Sequence, residues 1–126
     1  MFNPNSVILY VSNVKDSTDF YKKILGKAPV QSFEEFSLFL LERDFMLGLQ
    51  AKEGIDPKAQ EHFGGVELSL SDVDRKTVDL LHSQWSDMGV NIELPPQDLA
   101  FGYTFVANDP DGHRLRVCAT DTSNIS

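Results

Sequence analysis

What most constrains this chain is the order of its hydrophobic periods, which runs through residues 6–50 and then again through residues 66–119. In the first stretch Val7, Leu9 and Val11 alternate with Ile8 and Tyr10, the period of a strand. Both faces of that strand are apolar, so it is expected at the centre of a sheet. A helical stripe follows at Phe20, Tyr21, Ile24 and Leu25. Asp16 is expected to cap this helix, with Asp19 as the acidic partner of a capping box. Lys22 and Lys23 suit its C-terminal end, and Gly26 suits its termination. Three short strands are expected next, over 29–33, 36–41 and 45–50, with turns at Glu34-Glu35 and Arg43-Asp44.

The second stretch repeats the order. A strand over 66–70, introduced by Gly64-Gly65, leads to a helix capped by Asp72 or Asp74. Its apolar face holds Val78, Leu81, Trp85 and Met88, and Gly89 ends it. A strand over 91–94 is expected to stop at Pro95-Pro96, followed by strands over 101–107 and 113–119. The Asp109-Pro110-Asp111-Gly112 segment between the last two has turn chemistry: proline fixes φ and glycine tolerates positive φ. Both stretches therefore read βαβββ, a repeat of structure more than of sequence. Neither half buries enough alone, so the two are expected to share a core or to dimerise. The organisation expected is one domain spanning 1–126: a first module over about 5–51, a polar linker over 52–62, a second module over about 63–119 and a loose tail over 120–126. Residues 57–62 offer a short helix as an alternative to the linker. A curved sheet built from two such modules leaves a concave face suited to a ligand.

Composition narrows the function. With 41% hydrophobic and 24% charged residues the chain is expected to fold, and its formal net charge of −8 disfavours nucleic acid and anionic membrane surfaces as partners. Neutral or cationic ligands remain. The single cysteine, Cys118, permits neither an internal disulfide nor a cysteine zinc cluster, and reads as a buried thiol. The N-terminal segment has no basic region followed by an apolar core, and no run approaches the roughly 20 apolar residues of a membrane span, so a cytoplasmic location is expected.

Three segments carry a family resemblance. They are residues 11–21, Val-Ser-Asn-Val-Lys-Asp-Ser-Thr-Asp-Phe-Tyr, followed by Ile24-Leu25-Gly26; residues 64–70, Gly-Gly-Val-Glu-Leu-Ser-Leu; and Phe101-Gly102-Tyr103 followed by Asp109-Pro110-Asp111-Gly112-His113. In order and spacing the chain resembles the glyoxalase, bleomycin-resistance and extradiol dioxygenase superfamily over about residues 6–119. The resemblance implies an α+β fold in which two tandem βαβββ modules form a cupped mixed sheet with helices on its outer face. It also implies a homodimer with pockets across the subunits. Enzymes of the glyoxalase type hold a divalent metal on His or Glu from the first and last strands of each module. The matching positions here are Ser6, Gly48 or Gln50, Gly65 and Arg116. None is a good ligand, and the arginine carries a fixed positive charge. His62, His82 and His113 show no ligand spacing. No metal and no cofactor are expected.

The cup would then be lined by alternate residues: Ser6, Ile8 and Tyr10; Gly65, Glu67 and Ser69; Arg114, Arg116 and Cys118; with Tyr103 and Phe105 from the seventh strand and Phe39 and Phe101 at the rim. Candidate ligand-binding residues are Tyr10, Phe39, Gln50, Glu67, Phe101, Tyr103 and Arg116. Each aromatic has a core alternative, and Arg116 is either exposed on an edge or paired with Glu67. The function these features point to is metal-independent binding or sequestration of a small aromatic or cationic organic molecule, as in bleomycin-resistance-type proteins. Two alternatives stay open. One is a lyase, isomerase or dioxygenase with a non-standard site, using Glu67, Tyr10 or Tyr103 as acid or base. The other is an accessory domain with a plugged pocket.

Overall fold

A computed structural model describes residues 1–60 and 65–123. The expectations placed on His62 and Gly64 and on the end of the tail lie outside these residues. The chain divides into two compact units, Met1–His62 and Phe63–Ser126. Each is a βαβββ module whose four strands form one mixed sheet, so the α+β class and the tandem repeat hold.

In the first unit β1 (Ser6–Val11) leads into α1 (Val14–Leu25), then β2 (Gln31–Ser32), β3 (Phe36–Leu40) and β4 (Met46–Ala51). The strand order is β1-β4-β3-β2. β1 runs parallel to β4, a pairing that needs a crossover, and α1 supplies it. The expectation of a central β1 is therefore corrected: it is an edge strand of its four-stranded sheet. Its two apolar faces have different fates. Leu9 and Val11 are buried, whereas Ile8 and Tyr10 are exposed. The helix cap also moves. Asn13, in extended conformation, accepts the Asp16 N–H at 3.0 Å, which puts Asp16 at the third helical position and leaves Asp19 to pair with Lys15 at 2.9 Å. Gly26 closes the helix at φ 69°, donating its N–H to Lys22 O. β2 is shorter than expected, with only two residues in the ladder.

The second unit runs β5 (Glu67–Leu70), α2 (Arg75–Asp87), β6 (Asn91–Leu99), β7 (Gly102–Asn108) and β8 (Arg114–Thr120), in sheet order β5-β8-β7-β6. Asp74 caps α2, accepting the Thr77 N–H at 2.8 Å. Pro95 and Pro96 do not end their strand. β6 passes through them to Leu99, because it is an edge strand and its register shifts between Ile92 and Leu94 and again between Leu94 and Gln97. A missing N–H costs little at a bulged edge. Met88 is exposed at the helix C-cap instead of belonging to the apolar face. Residues 57–60 form no helix; a short 3-10 turn lies earlier, at Lys52–Gly54.

Each core lies between sheet and helix. In the first unit Leu9, Val11, Phe39, Leu47 and Leu49 are buried together with Val14 and Tyr21 of α1, which packs on β3 and β4. In the second Phe105, Ala107, Leu115 and Val117 meet Val78 and Trp85 of α2. Burial of each large side chain contributes about 1.5–3 kcal/mol. No helix among the described residues is long and apolar enough to cross a membrane.

Candidate functional site

Cross-strand register sorts the side chains onto two faces of each sheet. In the first unit the Thr18 hydroxyl of α1 lies 2.8 Å from the Ser37 hydroxyl, which marks the face carrying Ser37, Phe39, Leu47 and Leu49 as the helix side. The opposite, open face carries Ile8 and Tyr10 from β1, Gly48 and Gln50 from β4, and Phe36 and Leu38 from β3. Tyr10 and Phe36 both stand directly opposite Gln50. Over Gly48 the side chains of Ile8 and Phe36 lean inward: a Cβ there would sit 2.5 Å from Ile8 Cδ1 and 3.1 Å from the Phe36 ring. The Gln50 amide donates to Ala51 O at 3.0 Å.

In the second unit the helix side is marked by Phe105, whose ring meets Trp85 and His82 edge-on with centroids 5.4 Å away in each case. Tyr103 lies on that same side. Its hydroxyl donates to Asp79 of α2 at 2.6 Å, and the Arg75 guanidinium stacks 4.0 Å from its ring while pairing with Asp98. The Asp79 hydrogen bond raises the Tyr103 pKa above its ordinary value.

The open face of the second unit is charged. Arg116 donates from Nε to Glu67 Oε1 at 3.0 Å, and the other oxygen of Glu67 accepts the Ser69 hydroxyl at 3.1 Å. The guanidinium carbon lies 5.1 Å from the Phe101 ring centroid, and Nη1 reaches the Thr104 hydroxyl at 3.4 Å. The Arg116 side chain is only 15% exposed. Two positions along β8, Arg114 grips Glu93 through Nε and Nη2, at 3.2 and 2.6 Å. Hydrogen bonds from Asn108 and Arg114 hold the Glu93 carboxyl below the usual range.

Of the residues singled out in the sequence, Glu67, Phe101 and Arg116 come together, as do Tyr10 and Gln50 on the other unit. Phe39 does not join them. It is fully buried on the helix side, because it pairs with Leu47 rather than with Gly48 or Gln50. Tyr103 and Phe105 likewise belong to the helix side: Tyr103 pairs with Ala119 and Phe105 with Val117, one residue out of phase with Arg116. Tyr103 and Glu67 therefore stand on opposite faces of the second sheet. Gly65 precedes β5 with φ 82°, so strand alternation does not extend to it. Cys118 shares the Arg116 face but is buried.

Two features escaped the sequence reading. The Thr18–Ser37 hydroxyl pair sits within an apolar helical stripe, and only the pairing of β3 with α1 reveals it. The Arg75–Tyr103–Asp79 cluster was hidden by the wrong parity for Tyr103. The turn at Asp109–Gly112 held the missing signal, since Asn108 opposite Arg114 fixes every later pair of that hairpin.

The residues at the positions assigned to metal ligands by resemblance do not fit a metal. Ser6 offers a hydroxyl, Gly65 no side chain, Gln50 only a neutral amide oxygen, and Arg116 a cation. Among the described residues no three His, Cys, Asp or Glu side chains gather where they could hold an ion.

Comparison with known proteins agrees with this geometry. The model of the Glyoxalase/Bleomycin resistance protein/Dioxygenase superfamily matches residues 3–117. The phenazine antibiotic resistance protein EhpR of Enterobacter agglomerans is 36% identical over 123 residues, covering 94% of this chain and 92% of that protein. A protein of Agrobacterium tumefaciens solved by solution NMR superposes with a TM-score of 0.86 at 44% identity, over 96% of this chain and 99% of the other. A glyoxalase-related enzyme from Fulvimarina pelagi shares the fold, with a TM-score of 0.79 at 20% identity over 94% and 88% of the two chains.

Proposed function

The chain belongs to the glyoxalase, bleomycin-resistance and dioxygenase superfamily, and from that premise we propose that it binds and sequesters a small planar aromatic molecule without metal chemistry. The observation that carries this reading is the exchange at the superfamily's ligand positions. Where a carboxylate would face a metal, Arg116 stands instead, tied to Glu67 and lying against Phe101. That arrangement repels a divalent cation and presents a flat, polarised surface to an organic ring. The first unit, by itself, carries exposed apolar side chains on its open face at Ile8 and Tyr10. The relationship to a phenazine antibiotic resistance protein supports the same ligand class. The exposed apolar face also favours a homodimer, since such surface is seldom left to water.

The test is a calorimetric titration of purified protein with phenazine, with and without a chelator, alongside sedimentation velocity. Saturable binding with a Kd of about 1–10 μM, unchanged by the chelator, is expected for the protein as a dimer. Absence of saturable binding, or binding that needs an added divalent ion, overturns the proposal.

A further inference from the structure

The two arginines of β8 differ in how much of their hydrogen-bonding capacity the protein uses. Arg114 spends its fork: Nε and Nη2 both bind Glu93, and its side chain is 54% exposed. Arg116 touches Glu67 through Nε alone and reaches Thr104 through Nη1 at a long 3.4 Å. The Thr104 hydroxyl is itself committed to Val117 O at 2.8 Å. A guanidinium has five N–H donors. For Arg116 the Nη2 end meets no acceptor among the described residues. The group is nevertheless held still. Glu67 fixes one edge, Ser69 fixes Glu67, and Phe101 lies against the plane. A restrained guanidinium, mostly shielded from water and with its outer edge unused, is built to receive a second planar acceptor.

We infer that the Nη edge of Arg116 anchors a carboxylate carried by the aromatic ligand. The inference rests on the aromatic-binding reading above and narrows it to anionic, ring-bearing acids. It also reverses what net charge suggests. A chain of charge −8 attracts cations at long range. At contact distance the group with spare donors is a cation, so selection there favours an anion.

The experiment compares phenazine-1-carboxylate with unsubstituted phenazine, by calorimetry, on the full chain and on two variants. For the wild type the carboxylate is expected to bind about 10-fold or more tightly than phenazine, the scale of a charge-assisted pair. In Arg116→Gln the ratio of the two affinities is expected to fall to near one. In Glu67→Gln, which removes the competing negative charge, the ratio is expected to rise by about threefold. The second variant keeps the test decisive should the first not fold. Wild-type binding of phenazine without preference for the carboxylate overturns the anchor alone, as does a preference that survives Arg116→Gln or a ratio unmoved by Glu67→Gln. Failure of both ligands to bind overturns the aromatic reading, and the anchor falls with it.

Discussion

On the face turned away from its helix, the first unit carries Ile8, Tyr10, Phe36 and Leu38 around Gly48, with the amides of Gln50 and, opposite Leu38, Gln31. The same face of the second unit carries Glu67, Ser69, Arg114 and Arg116. Strand order, direction and helix placement are the same in both. The helix sides differ as well. α1 meets its sheet through a hydroxyl pair, Thr18 with Ser37, whereas α2 meets its sheet through Trp85, His82 and Phe105. One topology thus supports an apolar surface in one copy and a charged one in the other. The lesson is that the backbone pattern fixes which positions point outward, and the chemistry at those positions varies independently.

The largest effect should come from the aromatic core of the second unit. Phe105→Ala is expected to destabilise the protein by about 3–5 kcal/mol, read from the shift in a urea unfolding midpoint. Phe39, also fully buried, is the matching probe in the first unit, and among the described residues no ring–ring contact supports it. The edge-on contacts of Phe105 add about 0.5–1.5 kcal/mol beyond burial, so its truncation should cost more than Phe39→Ala by that margin. Equal losses would remove the energetic contrast between the two helix sides.

A middle-sized effect should separate the two open faces. Removing Glu67 leaves a mostly buried guanidinium without its partner. Glu67→Ala is therefore expected to cost about 1–2 kcal/mol, less than the loss from a fully buried pair because the Glu67 side chain is 35% exposed. Gln50→Ala on the first unit, where the amide only folds back on Ala51, should stay within about 0.5 kcal/mol. If Gln50 proves as costly as Glu67, the apolar face hides a polar network that its geometry does not reveal.

Features of this contrast that depend on local spacing were legible in the sequence. Both βαβββ orders, the strand at residues 6–11 and the stop at Gly26 follow from periodicity and from one glycine's positive φ. The Glu67–Arg116 pair was one of two arrangements that strand alternation left open for this arginine. What failed required knowledge of partners. Two apolar faces argued for a central β1, yet edge or centre is decided by pairing, and only β4 pairs with it within its sheet. Phe39 and Tyr103 were placed on the wrong faces because parity across a hairpin is set by register, and a one-residue error turns the whole strand over. Pro95-Pro96 read as a stop because nothing local marked β6 as a bulged edge.

The smallest expected effect lies in the turns that join the last two strands of each unit. In the first unit that turn, Glu42–Asp44, holds Arg43 and Asp44 at positive φ and contains no histidine. In the second, buried Asp109 accepts the N–H groups of Asp111 and His113 and meets the His113 ring at 2.7 Å. The hydrogen bond to Asp109 raises the His113 pKa above its ordinary value, outweighing the opposite effect of burial. A raised folded-state pKa means that the protonated ring stabilises the fold. That contribution is complete below the unfolded pKa of about 6.5 and is lost as pH rises through the higher folded value. His113→Gln keeps the backbone bonds to Asp109 and removes the titrating ring. The unfolding midpoint of the wild type minus that of the variant should accordingly be largest near about pH 5.5 and shrink towards about pH 9. Groups elsewhere in the chain cancel in that difference to the extent that they are independent of His113. A difference that is flat across the range, or that grows with pH, would mean that Asp109 holds the turn through its backbone bonds alone. The two turns would then be alike in their response to acid, and the charge asymmetry between the units would be confined to their open faces.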